Sequence, residues 1–311
     1  MSTAATPSVE SVPVAKSKYR WRVRLFPWLL FAPTIIYLVI LTIFPLIYSL
    51  GVSLFQVTLG RPATFIGLSN YREILIDPAF WHAAAVTGVI TIAAVTLEVV
   101  LGVVIGLILN RQLPGLGPVR LIVYFPMMLS PLVMGYFWRF MLDRSLGVVN
   151  WMLRVVGIHP LGWLIEAKLA LVSIIMVDVW QWTPFVILLV MAGLQTVPPE
   201  LYEISTLDRA SIWMQFRRIT LPFLRTPLML AVLFRTIDTL KLFDTVFIMT
   251  GGGPGDFTQT LSVMDFKIGF TYFNVGKAAA LSWLIVVIIT VLATLLIQRL
   301  TVRPGSRVTS A

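Results

Sequence analysis

Four ionisable side chains of alternating sign recur at a spacing of three residues within an otherwise apolar run: Arg235, Asp238, Lys241 and Asp244. Helix neighbours three residues apart can pair, so the set could be a self-neutralising ladder that faces other helices. Charged groups inside a membrane usually face a cavity, so the same stripe could also form the polar wall of a translocation pathway. Neither interpretation is catalytic, because each carboxylate has a basic neighbour.

A second polar group lies in a different apolar run, where Asp178, Trp180, Gln181 and Trp182 occur close together. Aromatic faces beside hydrogen-bonding groups can hold a sugar ring, whose C–H face is apolar and whose hydroxyls need partners. Ordinary packing between helices would use the same residues, so both interpretations stay open. Asp178 and Glu98 are also isolated charges in their runs, which predicts that each pairs with a group on another helix.

The residue inventory argues against catalysis by this chain. Cysteine is absent, histidine occurs twice, and the sequence has neither a paired-histidine metal spacing nor a Gly-x-Ser-x-Gly nucleophile motif. The glycine-rich segment 250–255 is not followed by the Gly-Lys-Ser/Thr of a phosphate-binding loop, so it predicts a tight turn. We therefore expect no catalytic residue, no metal site and no cofactor bound by this chain.

Composition indicates that these groups lie in a bilayer. Of the 311 residues, 58% are hydrophobic and 12% are charged, and the mean hydropathy is +0.90. A soluble domain averages about 25% charged residues, and one of this size could not hide so much apolar surface. The predicted class is an all-α polytopic membrane protein. The net charge of +10 reflects Lys and Arg on cytoplasmic flanks, so no nucleic-acid partner is expected.

Six apolar runs reach the roughly 20 residues that a membrane-spanning helix needs. If both termini are cytoplasmic, fourteen Lys and Arg flank the spans inside and seven outside, which favours that orientation. The basic N-terminus leads into the first run without a cleavage site, which predicts a retained span. A membrane domain at 26–300 then lies between cytoplasmic tails at 1–25 and 301–311. The approximate bounds of the runs are 28–52, 83–109, 121–142, 169–194, 228–250 and 278–297.

The segment 196–227 is a charged stretch between the fourth and fifth runs, on the predicted cytoplasmic side. Pro199 follows the fourth run, and proline favours the first turn of a new helix. Glu200 and Glu203 then lie near the positive N-terminal end of that helix. A short helix is therefore predicted over residues 201–207.

A second short helix is predicted after it, with an apolar face formed by Phe216, Ile219 and Leu221. Pro222 and Pro227 are expected to end this helix before the fifth span begins. Two short helices on the membrane surface could fill a groove in another protein. An amphipathic segment lying on lipid would have the same composition, so the residues alone leave both interpretations open.

The same segment resembles the cytoplasmic EAA loop of the permease subunits of binding-protein-dependent ABC importers. That signature reads Glu-Ala-Ala-x-x-Asp-Gly-Ala, followed at fixed distances by Phe, Ile and Leu-Pro. Ile204 and Ser205 replace the two alanines. Arg209 replaces the glycine that would allow a sharp turn, so either Arg209 adopts a strained conformation or the bend differs. The matching residues are Glu203, Asp208, Ala210, Phe216, Ile219, Leu221 and Pro222.

Other motifs resemble the carbohydrate-uptake branch of these permeases, the maltose, trehalose and glycerol-phosphate importers. The resemblance implies a type I importer fold with six transmembrane helices, located in the bacterial inner membrane. It also implies transport by alternating access, for a sugar, a polyol or a glycerophosphodiester. The motifs are Trp-Thr-Pro-Phe at 182–185, Ala-Gly-Leu-Gln at 192–195, Phe-Asp at 243–244, Met-Thr-Gly-Gly-Gly-Pro at 249–254 and the segment 65–71.

The resemblance implies partners and roles as well. The partners are a second, similar permease, two copies of a cytoplasmic ATPase that carries ATP and Mg²⁺, an external solute-binding protein, and membrane lipid. The alternative is a secondary carrier or channel driven by an ion gradient, which would work without an ATPase. The expected ATPase-coupling residues are Glu200, Glu203, Ser205, Asp208, Arg209, Ala210, Phe216, Ile219, Leu221 and Pro222. The candidate substrate-pathway residues are Asp178, Trp180, Gln181, Trp182, Arg235, Asp238, Lys241 and Asp244.

Overall fold

Helices make up nearly all of the structure, a computed structural model that describes residues 18–111 and 115–301. The parts of the predicted tails at 1–17 and 302–311 lie outside the described residues. A hairpin of two short strands, β1 (Phe55–Gln56) and β2 (Thr64–Phe65), is a small addition to the predicted all-α architecture. The helices are α1 (Lys18–Leu38), α2 (Phe44–Ser53), α3 (Ser69–Ile76), α4 (Pro78–Leu109), α5 (Leu116–Tyr124), α6 (Pro131–Met141), α7 (Val148–Val155), α8 (Ala167–Leu194), α9 (Pro199–Leu207), α10 (Ile212–Gln215), α11 (Leu221–Leu240), α12 (Asp244–Met249), α13 (Leu261–Phe266) and α14 (Val275–Thr301).

The first span runs over Leu30–Ser53, close to the predicted bounds of 28–52. A π-helical turn at Val39–Ile43 joins α1 to α2 within it. Its mean hydropathy of 2.4 is that of a membrane-spanning helix. The chain divides after Gly51 into two units, and all of this span except its last two residues belongs to the first of them.

The second unit is built around α4 and α8, which pack closely along one another. A Cβ atom added at Gly102 would lie 2.5 Å from Val186 Cγ1, and one at Gly106 would lie 2.7 Å from Val190 Cγ1. Only glycine allows this approach, and small residues are a common means of packing helices inside a membrane. The fifth span, which includes α11, packs against both helices.

Three predicted spans are contained within single long helices. α4 contains the predicted span 83–109, α8 contains 169–194, and α14 contains 278–297. Each of these helices is long and apolar enough to cross a membrane.

The third predicted span, 121–142, is broken in two. Its pieces, Leu116–Met128 and Pro131–Met141, are bent by 100° relative to each other. The break includes Ser130, whose ψ of 138° is extended because a residue that precedes proline disfavours the helical region. Pro131 begins a helix with a new direction, so the third predicted span is recovered only if the bent pair is counted as one span.

The fifth span differs from its prediction at both ends. It runs over Ile212–Leu240 instead of 228–250, so the second short helix of the predicted loop is continuous with the span. Pro222 occupies the first turn of α11, directly after a π-helical turn at Phe216–Thr220, and the helix also passes through Pro227. Proline is tolerated at a first turn because its missing N–H is not needed there. The prediction that prolines separate the loop from the span is therefore wrong.

Candidate functional site

Arg235 lies at the centre of a buried group of charges that joins three helices. Its Nε and Nη2 donate to the two carboxylate oxygens of Glu98 in α4, at 2.7 and 2.9 Å. Nη2 also donates to Asp178 Oδ2 in α8, and Nη1 donates to Asp238 Oδ2 on α11 itself, both at 2.7 Å. The partner predicted on another helix is thus the same arginine for both Glu98 and Asp178.

This charged junction is closed to solvent except at Asp238. The side chains of Arg235, Glu98 and Asp178 are at most 2% exposed, whereas that of Asp238 is 45% exposed. Removing one partner of a buried pair leaves an uncompensated charge, so each of these groups depends on the others for its place in the fold. The carboxylates bind a guanidinium here, and residues 18–111 and 115–301 contain no group of three or more His, Asp or Glu arranged to hold a metal ion.

The predicted ladder of four charges holds only for its first pair. Arg235 and Asp238 pair on α11, but the helix ends before Lys241, whose amide bonds to the Asp238 carbonyl three residues back. Phe243 then has φ −124° and ψ −62°, and Asp244 begins the separate helix α12. No ion pair in the described part of the chain includes Lys241 or Asp244. The prediction that all four charges lie on one helix is therefore wrong, because α11 ends at Leu240 in a tightened turn.

Arg235 and Asp238 also line a cavity of about 310 Å³. Trp182 covers Arg235, with the guanidinium carbon 4.9 Å from the ring centre, which is the distance of a cation–π contact. Lys241 adds an ammonium group from the end of α11. The cavity thus combines aromatic faces with a carboxylate and donors, which suits a polar solute that has an apolar face. The other lining residues are Phe185, Phe234 and Ile237.

Two candidate pathway residues contribute to packing between helices instead. Trp180 contacts Trp138 of α6 edge to face, with ring centres 5.4 Å apart. Gln181 is buried, and its Nε2 donates to the Leu129 carbonyl at 3.1 Å. Both side chains therefore hold the broken third span against α8 and do not line the cavity.

Asp178 and Asp244 also lie outside the cavity lining. Asp178 acts on the cavity only through Arg235, to which it is bonded. Sequence reasoning did not select Phe185, which lines the cavity one helical turn beyond Trp182. The spacing of three residues between these two aromatic residues was the available signal, because such neighbours share a helix face.

The predicted coupling loop begins with α9 and turns sharply at Arg209. The φ of Arg209 is 53°, in the left-handed region that glycine adopts at low cost. Of the two outcomes predicted for this position, the strained conformation is the one observed. The Ala210 amide then donates to the Ser205 carbonyl at 2.9 Å, and Ser211 caps α10 by accepting from the Met214 amide.

Polar contacts tie α9 to the start of the fifth span. The Tyr202 hydroxyl lies 2.9 Å from Thr220 Oγ1, and Ser205 Oγ donates to the Tyr202 carbonyl at 2.8 Å. The shape of the loop is thus set by contacts within the chain. The remaining predicted coupling residues lie in α9 and the turn after it (Glu200, Glu203, Asp208) or in the continuous helix (Phe216, Ile219, Leu221, Pro222).

The outward side of the loop is apolar, and no described part of the chain covers it. Leu207 and Ile212 are 83% and 85% exposed, and Trp213 is 68% exposed. Glu200 and Glu203 of α9 are exposed as well. Scattered apolar residues on a surface are ordinary, but a group of them on one short loop marks a contact with a protein or a membrane.

A known protein family matches the part of the chain that contains the cavity and the loop. Residues 98–303 match the family described as "Binding-protein-dependent transport system inner membrane component", a range that begins at Glu98 and includes the cavity and the loop. The chain belongs to this family. It is therefore a membrane-embedded permease subunit of an ABC importer and a transport component, not an enzyme.

Two relatives match along most of their length. The probable ABC transporter permease protein y4oQ of Sinorhizobium fredii is 38% identical over 288 residues, which are 92% of this chain and 93% of that protein. The trehalose/maltose transport system permease protein MalF of Thermococcus litoralis is 37% identical over 261 residues, which are 84% of this chain and 87% of that protein. The family assignment therefore holds for nearly the whole chain.

A solved structure agrees in fold. It is a bacterial alginate ABC transporter in complex with an alginate pentasaccharide-bound periplasmic protein. The match has a TM-score of 0.78 and 21% identity, and it covers 89% of this chain and 95% of that chain. The predicted type I ABC importer permease fold is confirmed.

Proposed function

We propose that this permease forms half of the translocation pathway for a sugar, a polyol or a glycerophosphodiester, and that it works by alternating access. The observation that carries the proposal is the cavity in which Trp182 lies over Arg235 beside Asp238 and Lys241. Its volume of about 310 Å³ accommodates a small polyhydroxylated solute. The Thermococcus litoralis relative is named for trehalose and maltose, which have this chemistry.

The hydrogen-bonding capacity of the cavity suits hydroxyl groups. A guanidinium has five N–H donors, and the four contacts of Arg235 to carboxylates leave one N–H on Nη1. Asp238 can accept from a hydroxyl, and Lys241 can donate to one. Adjacent donors and acceptors of this kind match the adjacent hydroxyls of a sugar, while the rings of Trp182 and Phe185 face its C–H surface.

The loop formed by α9 and α10 is proposed as the docking site of a cytoplasmic ATPase. Its support is the exposed apolar group at Leu207, Ile212 and Trp213, beside the acidic Glu200 and Glu203. Since α10 is continuous with the fifth span, a displacement of the loop would reach Arg235 directly. Closure of the ATPases would in this way change the access of the cavity.

The proposed assembly contains two permeases, two ATPases that carry ATP and Mg²⁺, an external solute-binding protein and surrounding lipid. The chain itself would bind no cofactor. Both termini would be cytoplasmic, so that the loop lies on the side where ATP is. The alginate transporter structure, which contains a periplasmic protein, supports an external binding protein for this chain.

Uptake by the reconstituted complex tests the solute class and the cavity together. Proteoliposomes containing the complex purified from its native membrane would be given ATP inside and radiolabelled trehalose, maltose, glycerol or glycerophosphocholine outside. Trp182→Ala is expected to lower uptake of the transported compound by up to about tenfold, because an aromatic contact contributes about 0.5–1.5 kcal/mol. Trp28→Ala is the matched control, since that ring is 69% exposed and lies outside the cavity lining. Equal uptake by both variants, or no ATP-driven uptake of any of these compounds, would refute the proposal.

Glu203→Lys tests the docking role of the loop. The reversed charge is expected to reduce retention of the ATPase during purification and to uncouple transport, while the permease still accumulates in the membrane. Asp256→Lys, between α12 and α13, makes a matched charge reversal at an exposed carboxylate away from the loop. Unchanged ATPase retention and uptake in Glu203→Lys would exclude this residue from docking.

A further inference from the structure

The segment between α6 and α8, residues 142–166, folds around one buried asparagine, and we call it the cap segment. Asn150 of α7 is fully buried. Its Nδ2 donates to the carbonyls of Asp143 and Leu161 at 3.1 and 3.0 Å, and its Oδ1 accepts from the Leu161 amide at 3.0 Å and from Trp163 Nε1 at 3.1 Å. An asparagine bonded at both ends of its amide makes the cap segment one rigid piece.

The opposite side of α7 is apolar and exposed. Trp151, Met152 and Val155 follow the spacing of one helix face and lie opposite Asn150. These three side chains are 59%, 56% and 67% exposed. We call this surface the α7 face, and the exposed neighbours that extend it are Leu146, Val156 and Ile158.

The length of α8 sets the level of the cap segment in the bilayer. α8 has 28 residues. At 1.5 Å per residue it is about 42 Å long, roughly 12 Å longer than the hydrocarbon core of a membrane. The cap segment packs on its first turns, where Ser173 Oγ donates to the Trp163 carbonyl at 3.1 Å and Leu142 shares a core cluster with Val177. These contacts place the α7 face near the headgroups.

The composition of the cap segment favours lipid as the occupant. Tryptophan is enriched at the membrane–water interface, and a short helix that is apolar on one side and basic at its rim lies in the plane of that interface. The exposed cations Arg144 and Arg154 of the cap segment, with Lys168 in the first turn of α8, are long enough to reach lipid phosphates. Two exposed carboxylates, Asp143 and Glu166, lie in the same segment. Both ends of the cap segment continue into membrane-embedded helices, so its apolar side cannot move far from the bilayer.

We infer that α7 is an interfacial anchor: it lies along the membrane surface with the α7 face inserted between lipid headgroups and upper acyl chains. The anchor would hold one wall of a neighbouring cleft of about 580 Å³, which the cap residues 162–165 line opposite Tyr136 and Arg139 of α6. The bilayer thereby fixes the shape of this cleft. The inference does not depend on the identity of the transported solute.

Single-cysteine spin labelling tests the anchor, because the chain has no cysteine of its own. Val155→Cys and Met152→Cys would be labelled within the complex and reconstituted in nanodiscs of phosphatidylcholine and phosphatidylglycerol. Power-saturation electron paramagnetic resonance would then compare accessibility to oxygen, which partitions into lipid, with accessibility to a water-soluble nickel chelate. Ser145→Cys is the matched control, because Ser145 is an exposed polar residue of the same segment.

Labels at residues 152 and 155 are expected to be more accessible to oxygen than to nickel, and the label at 145 the reverse. Low accessibility to both reagents at 152 and 155 would show that another subunit covers the α7 face, and the inference would fail. High accessibility of the labels at 152 and 155 to the nickel chelate would also overturn the inference. If that accessibility then fell when a solute-binding protein was added, the α7 face would be assigned to protein docking instead. Uptake by the same variants tests the proposed function separately.

Discussion

The charged junction and the predicted coupling loop differ in what they expose: the junction buries its charges, whereas the loop leaves apolar side chains exposed. At the junction, Arg235 makes four hydrogen bonds of 2.7–2.9 Å to three carboxylates, two of them on other helices. In the loop, Leu207 and Ile212 are more than four-fifths exposed, although the loop's own backbone is well bonded. The charges of the junction are paired within one chain, whereas the apolar side of the loop is covered by no part of the chain that the structure describes.

Substitutions in the two regions should therefore affect different properties, the stability of the fold at the junction and the assembly of the complex at the loop. A substitution at the junction leaves charges buried without partners, so it acts on folding first. A substitution at Leu207 or Ile212, which are 83% and 85% exposed, removes little contact within the chain, so it should act on assembly. The following substitutions test whether the two regions are as distinct as their contacts indicate, in order of their expected effect on stability.

Arg235→Met is expected to destabilise the chain by about 3–5 kcal/mol, because Glu98 and Asp178 would remain buried without a cation. The measurement is the yield of monodisperse protein and its thermal unfolding in detergent. Neutralising the partners in the triple variant Arg235→Met, Glu98→Gln, Asp178→Asn should recover most of the loss. A single Arg235→Met variant as stable as the parent would show that the junction contributes little to the fold.

Arg209→Gly is expected to stabilise the chain by about 0.5–1 kcal/mol. It relieves a left-handed conformation that costs a non-glycine residue roughly 1–2 kcal/mol, less the entropy that glycine loses on folding. Arg217→Gly is the matched control, since a glycine within the helix there should cost about 1 kcal/mol. The measurement is the thermal unfolding of both variants relative to the parent. If Arg209→Gly were less stable than the parent, the arginine side chain would make a contact that offsets the strain of its backbone.

Leu207→Asp is expected to change the unfolding free energy by less than about 0.5 kcal/mol, as for other exposed positions. It should nevertheless strip the ATPase from the purified complex, because it places a charge in the proposed apolar contact. Leu59→Asp, at a residue that is 73% exposed on the hairpin side of the molecule, should be silent in both measurements. If the complex kept its ATPase with Leu207→Asp, the apolar surface of the loop would need another explanation.

Local patterns in the sequence predicted much of this structure. Hydropathy located the first, second, fourth and sixth spans closely, since a run of apolar residues has few folded alternatives in a membrane. The loop signature identified Arg209 as the position where either the backbone is strained or the bend differs, and the structure shows the strained backbone. The aromatic and charged residues Trp182, Arg235 and Asp238 were selected before their shared cavity was known.

What the sequence did not reveal depends on contacts between distant segments. The pairing of Glu98 with Arg235 joins residues 137 positions apart, and no local pattern specifies it. The helix end before Lys241 and the passage of the fifth span through Pro227 depend on tertiary packing, which overrides the usual meaning of charge spacing and of proline. Gln181 lies beside the cavity residues in sequence but bonds to the backbone of another helix.

The π-helical turn at Phe216–Thr220 has a consequence for how the length of this chain can vary. A π-helical turn accommodates one residue more than an α-helical turn would in the same helix. Deleting one residue within this turn would therefore restore α-helical winding and keep the helix on either side in register. Inserting or deleting one residue between Thr220 and Arg235 would instead rotate the guanidinium by about 100° relative to the loop. The arginine would then point away from Glu98 and Asp178. Between Thr220 and Arg235, insertions or deletions that keep the junction should therefore have lengths close to whole helical turns. The turn between β1 and β2 has no such constraint, because no helix register depends on its length.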